Sequence, residues 1–266
     1  MWSSLLLAVI AFAFLNASVA AQSFSVGYRK SNQATKRSVG SAKHLEGVVH
    51  VYHSFLSDET SSWTDFERNR VRAKLREAYD FITLQSRLHD KQVTFVDEFG
   101  PNARLDIQIP RDAHADPKWT EYAILSSSNK TGNRLVEHIK GQSKPDSVIV
   151  CLHVHKPALS YNLAYYKPVS ERYRAERMVC FTAYPDGRET SSATYAHEIL
   201  HLFGAGDLYF PYDKDSRRKD HAQRLFPNDV MFRVDYDMTR LNVGPFTAYR
   251  IGWTNRLDPR YSSFED

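Results

Sequence analysis

Apolar residues at Trp63, Phe66, Val71, Leu75, Ala78, Tyr79 and Ile82 recur at helical spacing. That places them along one stripe and predicts a long amphipathic helix over roughly 62–88, with its charges on the outer face. Before it, Gly47-Val48-Val49-His50-Val51-Tyr52 is rich in β-branched residues and predicts a strand. After it, Val93-Thr94-Phe95-Val96 predicts a second strand, and Leu105-Asp106-Ile107-Gln108-Ile109 alternates as a half-buried strand does. Residues 119–140 predict short helices broken at Gly132. Val148-Ile149-Val150-Cys151-Leu152 is apolar enough for a strand covered on both faces, and Met178 to Ala183 predicts another. Thr190-Ser191-Ser192 offers cap residues for a helix that ends near Gly204. Pro245 opens a last short helix that turns Phe246, Tyr249 and Trp253 inward.

Composition fits this picture of a globular chain. In 266 residues, 42% are hydrophobic and 25% charged, which suits one substantial domain or two small ones and excludes a disordered or fibrous protein. The net charge of +4 is small for the length, and no nucleic-acid motif accompanies it, so no nucleic-acid partner is expected. Leu5 to Leu15 is a short apolar run followed by Ala17-Ser18-Val19-Ala20-Ala21, although no Lys or Arg precedes it. Residues 1–21 are read as a signal peptide, which implies a secreted protein, extracellular or periplasmic, with no stable membrane anchor after cleavage. Residues 22–45 carry Arg29, Lys30, Lys36, Arg37 and Lys43 among few large apolar groups and read as a flexible basic leader, leaving 46–266 as the folded domain. In an oxidising compartment Cys151 and Cys180 would form either one disulfide or two separately buried thiols. Asn129-Lys130-Thr131 has the form of a glycosylation acceptor.

The chemistry concentrates in His197-Glu198-Ile199-Leu200-His201-Leu202-Phe203-Gly204-Ala205-Gly206-Asp207. Residues four apart on a helix stand above one another, so His197 and His201 can share one metal ion. Glu198 sits beside the first of them, placed to hold a water without ligating the metal. Gly204 can end the helix in a left-handed turn and bring Asp207 back to the same ion. Three protein ligands and one open position make a catalytic rather than a structural site, and imidazole with carboxylate favours zinc. Asp213, Asp215 and Asp220 compete with Asp207 for the third position, although none follows a matching glycine turn. The plainer reading, an amphipathic core helix, leaves two buried histidines and a glutamate without partners. His153 and His155 alternate on one strand near Cys151, where a second metal site is conceivable and ordinary hydrogen bonding more usual. Tyr161, Tyr165, Tyr166 and Tyr173, interleaved with Lys167, Arg172 and Arg174, line either a substrate groove or a solvated loop. Asp215 to Arg224 reads as an exposed charged segment.

On the motif, and on the order strand, long helix, two strands, insert, two strands, helix, irregular end, residues 45–253 resemble the metzincin clan of zinc metallopeptidases. With Asp207 as third ligand the chain is more similar to the snapalysin-type and immune-inhibitor-A-type enzymes than to those with three histidines. The resemblance implies an α+β fold with a twisted, mostly parallel sheet, an antiparallel edge strand, a long backing helix, an active-site helix and a methionine turn, for which Asp229-Val230-Met231 falls in place. It also implies that an edge strand pairs with extended substrate, a job for which the strand from Val148 is the candidate. Gluzincins, which share the short motif, take a downstream glutamate as third ligand, and the one glutamate after His201 is Glu265, the penultimate residue of the sequence. Where many metzincins have a tyrosine two residues after the methionine, this chain has Arg233, which leaves Tyr209, Tyr236 and Arg233 as rival electrophiles. The leader has no cysteine for a cysteine-based latency, and Lys36-Arg37 offers a processing site.

The expectation is a secreted, monomeric zinc metalloendopeptidase acting on protein or peptide substrates, with His197, His201 and Asp207 on the metal and Glu198 as general base. Two other classes stay open: a non-catalytic secreted module that keeps zinc for stability, and a metal hydrolase of a non-peptide amide such as a cell-wall bond.

Overall fold

The computed structural model describes residues 40–112, 115–164, 175–209 and 216–264. The chain forms a mixed α/β fold whose sheet has the order β2-β1-β4-β6-β5, with the two-residue strand β3 also pairing with β1. Its strands are β1 (Gly47–Ser57), β2 (Val93–Phe99), β3 (Ala103–Arg104), β4 (Ser147–Pro157), β5 (Tyr161–Leu163) and β6 (Glu176–Ala183). All pairings are parallel except β5 with β6. The helices are α1 (Asp65–Arg87), α2 (Lys118–Ser128), α3 (Gly132–Ser143), α4 (Ser192–Leu202), α5 (Ser216–Leu225) and α6 (Pro245–Arg250).

Alternation along the strands divides two cores between the faces of the sheet. Val49, Val51 and Phe55 of β1, Ile149 and Cys151 of β4, and Met178 and Cys180 of β6 pack with α1, α4 and the C-terminal segments. Tyr52, Leu56, Val150, Leu152, Val154, Val179 and Phe181 pack on the opposite face with Trp119, Ile124, Leu135 and Ile139 of α2 and α3. Helices on both faces explain the continuous apolar run in β4. Strand β4 lies between β1 and β6, so the assignment of a substrate-pairing edge to the strand from Val148 is corrected: its backbone groups are already used in two ladders. The antiparallel edge strand is β5.

Local chemistry sets the boundaries. Gly47 opens β1 with φ +71°, and a Cβ there would come within 2.1 Å of Asp146 Oδ2, so both the dihedral and the space require glycine. A capping box starts α1: Thr64 Oγ1 accepts from Glu67 N at 3.2 Å, and Glu67 Oε2 accepts from Thr64 N at 2.7 Å. The stripe from Val71 to Ile82 is buried as the pattern predicts, but Phe66 in the first turn stays 69% exposed. Residues 105–109 are not a strand. Leu105 and Ile109 are buried, but Leu105 N donates to Ser57 O and Ile109 N to Asp58 Oδ2, so this segment finds end-of-strand and side-chain acceptors where a ladder would have been. Nor does Gly132 break the helices. Asn129, at φ +55°, closes α2, and Gly132 is the first residue of α3. Ser41 to Leu45, the last residues of the basic segment, are docked: Ala42 N donates to Glu176 Oε2 and Trp253 Nε1 to Leu45 O. No helix among the described residues is long and apolar enough to cross a membrane.

A buried ion pair closes the end of β1. Asp58 accepts from Lys156 Nζ, Ile109 N, Thr60 N, Thr60 Oγ1 and Ser61 Oγ. Burial pushes its carboxyl up, but Lys156 and the surrounding donors together carry it well below the usual carboxylate range. Asp58→Asn leaves the Lys156 ammonium buried without its counter-charge and is expected to cost about 3–5 kcal/mol near neutral pH. Because the folded pKa is the depressed one, the contribution is present above the unfolded value of 3.8 and is lost as pH falls through the folded value. Urea denaturation of both proteins should therefore show their stability gap shrinking below about pH 4. A gap that widens on acidification would contradict the assignment.

Candidate metal centre

Every residue of α4 is buried, so the motif lies in the core rather than on a surface stripe. Ser191 caps the helix through its side chain, which accepts from Thr194 N. The other end is a Schellman turn: Ala205 N donates to Leu200 O and Gly204 N to His201 O, both at 3.1 Å, with Gly204 at φ +107°. This turn carries the chain back so that Asp207 meets the two histidines. His197 Nε2 and His201 Nε2 are 3.0 Å apart, and Asp207 Oδ1 lies 3.2 and 3.1 Å from them.

The remaining ring nitrogens fix the tautomers. His197 Nδ1 donates to Val230 O and His201 Nδ1 to Ala205 O, each at 2.9 Å. With Nδ1 protonated, both Nε2 lone pairs aim at one point beside Asp207 Oδ1. Two imidazole nitrogens and a carboxylate oxygen around one tetrahedral ion, each roughly 2.0–2.2 Å from it, would stand about 3.3–3.5 Å from one another. The observed separations are a few tenths of an ångström shorter, and the donor set fits. These three residues could hold a metal ion.

The two carboxylates are driven apart. Burial alone would raise Asp207, but His201 and His197 pull it well below the usual carboxylate range. Burial raises Glu198 above that range, against the opposing pull of His201, His197 and Asn162. Such a divergence separates an anionic ligand from a proton carrier. Glu198 is wholly buried, Oε2 accepts from Asn162 Nδ2 at 3.3 Å, and Oε1 has no hydrogen-bond partner among the described residues.

The segment at Asp229-Val230-Met231 supports the site from below. Asp229 Oδ1 accepts from Met231 N at 2.8 Å, and its Oδ2 accepts from Gly244 N at 2.9 Å and Thr247 Oγ1 at 2.7 Å. Burial pushes Asp229 up to about 6, despite those donors. The same turn presents Val230 O to His197, and Met231 O accepts from Leu208 N at 3.0 Å, which ties down the residue after Asp207.

Of the rival electrophiles, Tyr209 stacks on His197 at 6.3 Å between ring centroids. Tyr236 is 60% exposed and donates to Glu189 O, and Arg233 pairs with Asp235. Asp220 is exposed on α5, while Asp213, Asp215 and Glu265 lie outside the described residues. Tyr161 does not line a groove: it is buried in the core under α2 and α3, and Tyr165, Tyr166, Lys167, Arg172, Tyr173 and Arg174 lie outside the described residues. Cys151 and Cys180 are free, buried thiols on adjacent strands. His155 faces Ser62 O and Glu67 near the start of α1, whereas His153 pairs with His53 of β1. Asn162 had no sequence signal as a site group, and Asp229 and Val230 had one only as part of the methionine turn, not for the carboxylate and carbonyl contacts they make. Asn162 belongs to a three-residue strand too short for periodicity, and the other two act through a turn.

No protein-family model matches the chain, and no curated protein matches it. Among solved structures the chain is similar to metalloproteinase-II from Bacteroides fragilis, with 12% identity and a TM-score of 0.41 over 78% of this chain and 53% of that one. The chain thus spans about half the length of that protein. So slight a likeness carries no argument about function, which rests on the side-chain geometry.

Proposed function

We propose that this chain is a secreted zinc-dependent metalloendopeptidase. The reading is carried by one observation: two tautomer-locked imidazoles and an anionic carboxylate converge on a single point beside a buried glutamate with an unpartnered oxygen. His197, His201 and Asp207 would hold the ion and leave a position open. Zinc in such a site supplies Lewis acidity, polarising a carbonyl and acidifying a water. Glu198 accepts the proton of the attacking water on Oε1 and returns it to the leaving amine, and its raised pKa brings it nearer the operating pH. Asn162 holds the other oxygen and fixes the direction in which the carboxylate points. Since Asn162 belongs to β5, extended substrate paired along that edge would reach Glu198 directly. An aspartate in the third position makes zinc somewhat less electrophilic than a third imidazole would.

A peptide-library digestion with the full chain tests this reading. Cleavage at internal bonds is expected, abolished by chelation and restored by zinc. Release of amines from peptidoglycan but not from any peptide would move the activity to a non-peptide amide. Strong thermal stabilisation by zinc with no hydrolysis of either would make the protein a binding module.

A further inference from the structure

A second set of ligating side chains lies beneath α1 and α4. His53 of β1 stands opposite Cys151 of β4 in the ladder, and His153 follows two residues later, on the same face of the strand. All three are fully buried, and their ligand atoms fall within 4.8 Å of one another. His53 Nδ1 faces His153 Nε2 at 2.9 Å. His53 Nε2 lies 3.0 Å from Asp97 Oδ1 of β2, and that oxygen also accepts from Tyr79 OH at 2.9 Å.

Core positions flanked by Phe55, Ile149 and Met178 gain little from two imidazoles and a thiol unless something binds them together. The cluster's hydrogen bonds run from Asp97 through His53 to His153 and stop there, with His153 Nδ1 unpartnered among the described residues. The proton positions point the same way. Asp97 is an acceptor, so His53 Nε2 carries the proton and Nδ1 turns a lone pair into the cluster. A carboxylate that holds the far nitrogen of a histidine is the outer-shell arrangement that orients metal-ligating imidazoles. The centre on α4 is built likewise, with backbone carbonyls in the carboxylate's place.

We propose that His53, Cys151 and His153 form a second site for zinc, independent of the centre on α4. Thiolate and imidazole donors select zinc over magnesium or calcium. Binding forms a zinc–sulfur bond and releases the Cys151 proton to solvent. The ion would join β1 to β4, with β2 supporting it through Asp97. His153 is also 6.1 Å from Tyr195 between ring centroids, so the site lies directly behind the catalytic helix.

Cobalt spectroscopy tests this without reference to activity. The full chain is stripped of metal and titrated with Co²⁺ while its absorption spectrum is recorded. A thiolate-to-cobalt charge-transfer band is expected in the near ultraviolet, which the His197, His201 and Asp207 donors cannot produce, and zinc should bleach it. Wild type should bind two equivalents. Cys151→Ser should lose the band and one equivalent, and the His197→Ala/His201→Ala double variant should keep the band with one. Failure of the proposed catalytic centre alone would leave one equivalent with the band in wild type. A wild-type spectrum without the band, or a band that zinc does not bleach, overturns the proposal even if Cys151→Ser does not fold.

Discussion

Glu198→Gln is expected to retain the fold and the metal while losing about 10²–10⁴-fold in kcat/KM, the contribution typical of a positioned general acid–base. Gln preserves the shape and the hydrogen bond available from Asn162 but cannot take a proton. The native carboxylate is buried with one oxygen unpartnered, a costly arrangement for a purely structural group. Equilibrium unfolding of the variant should therefore match wild type or exceed it. Turnover at the wild-type rate would remove Glu198 from the mechanism.

Asp207→Ala is expected to weaken zinc binding at the α4 centre by at least about 100-fold, since loss even of an outer-shell partner typically costs 10–100-fold. The substitution leaves two imidazole lone pairs facing each other 3.0 Å apart with no anion between them. Asp220→Ala, on the exposed face of α5, should change nothing. Competition against a chelator of known affinity measures both variants. Equal affinities for Asp207→Ala and wild type would reopen the third position to an aspartate elsewhere in the chain.

The features readable in the sequence were those governed by periodicity and by local turns. The Val71–Ile82 stripe, the doubly covered β4, the Ser191 cap and the reversal at Gly204 each depend on residues within a few positions of one another. The features that were not readable depend on contacts distant in sequence. The edge role fell to β4 on the resemblance alone, because nothing in Val148–Leu152 tells which strands flank it, and the three-residue β5 that does form the edge is shorter than a period-based reading can find. The alternation of Leu105 to Ile109 is real, but Asp58, about 50 residues away, supplies the acceptor that the expected ladder would have provided. The same limit explains the second cluster. His153 was visible on its strand, whereas His53 and Asp97, 100 and 56 positions earlier, are brought to it only by parallel register.

Anomalous scattering at the zinc absorption edge, from crystals of the zinc-loaded protein, tests the central claim most directly. A peak within bonding distance of His197 Nε2, His201 Nε2 and an oxygen of Asp207, with Glu198 nearby but unligated, is the predicted result. Saturating zinc with no peak among those three atoms, or a peak that leaves Asp207 outside its coordination, would contradict it.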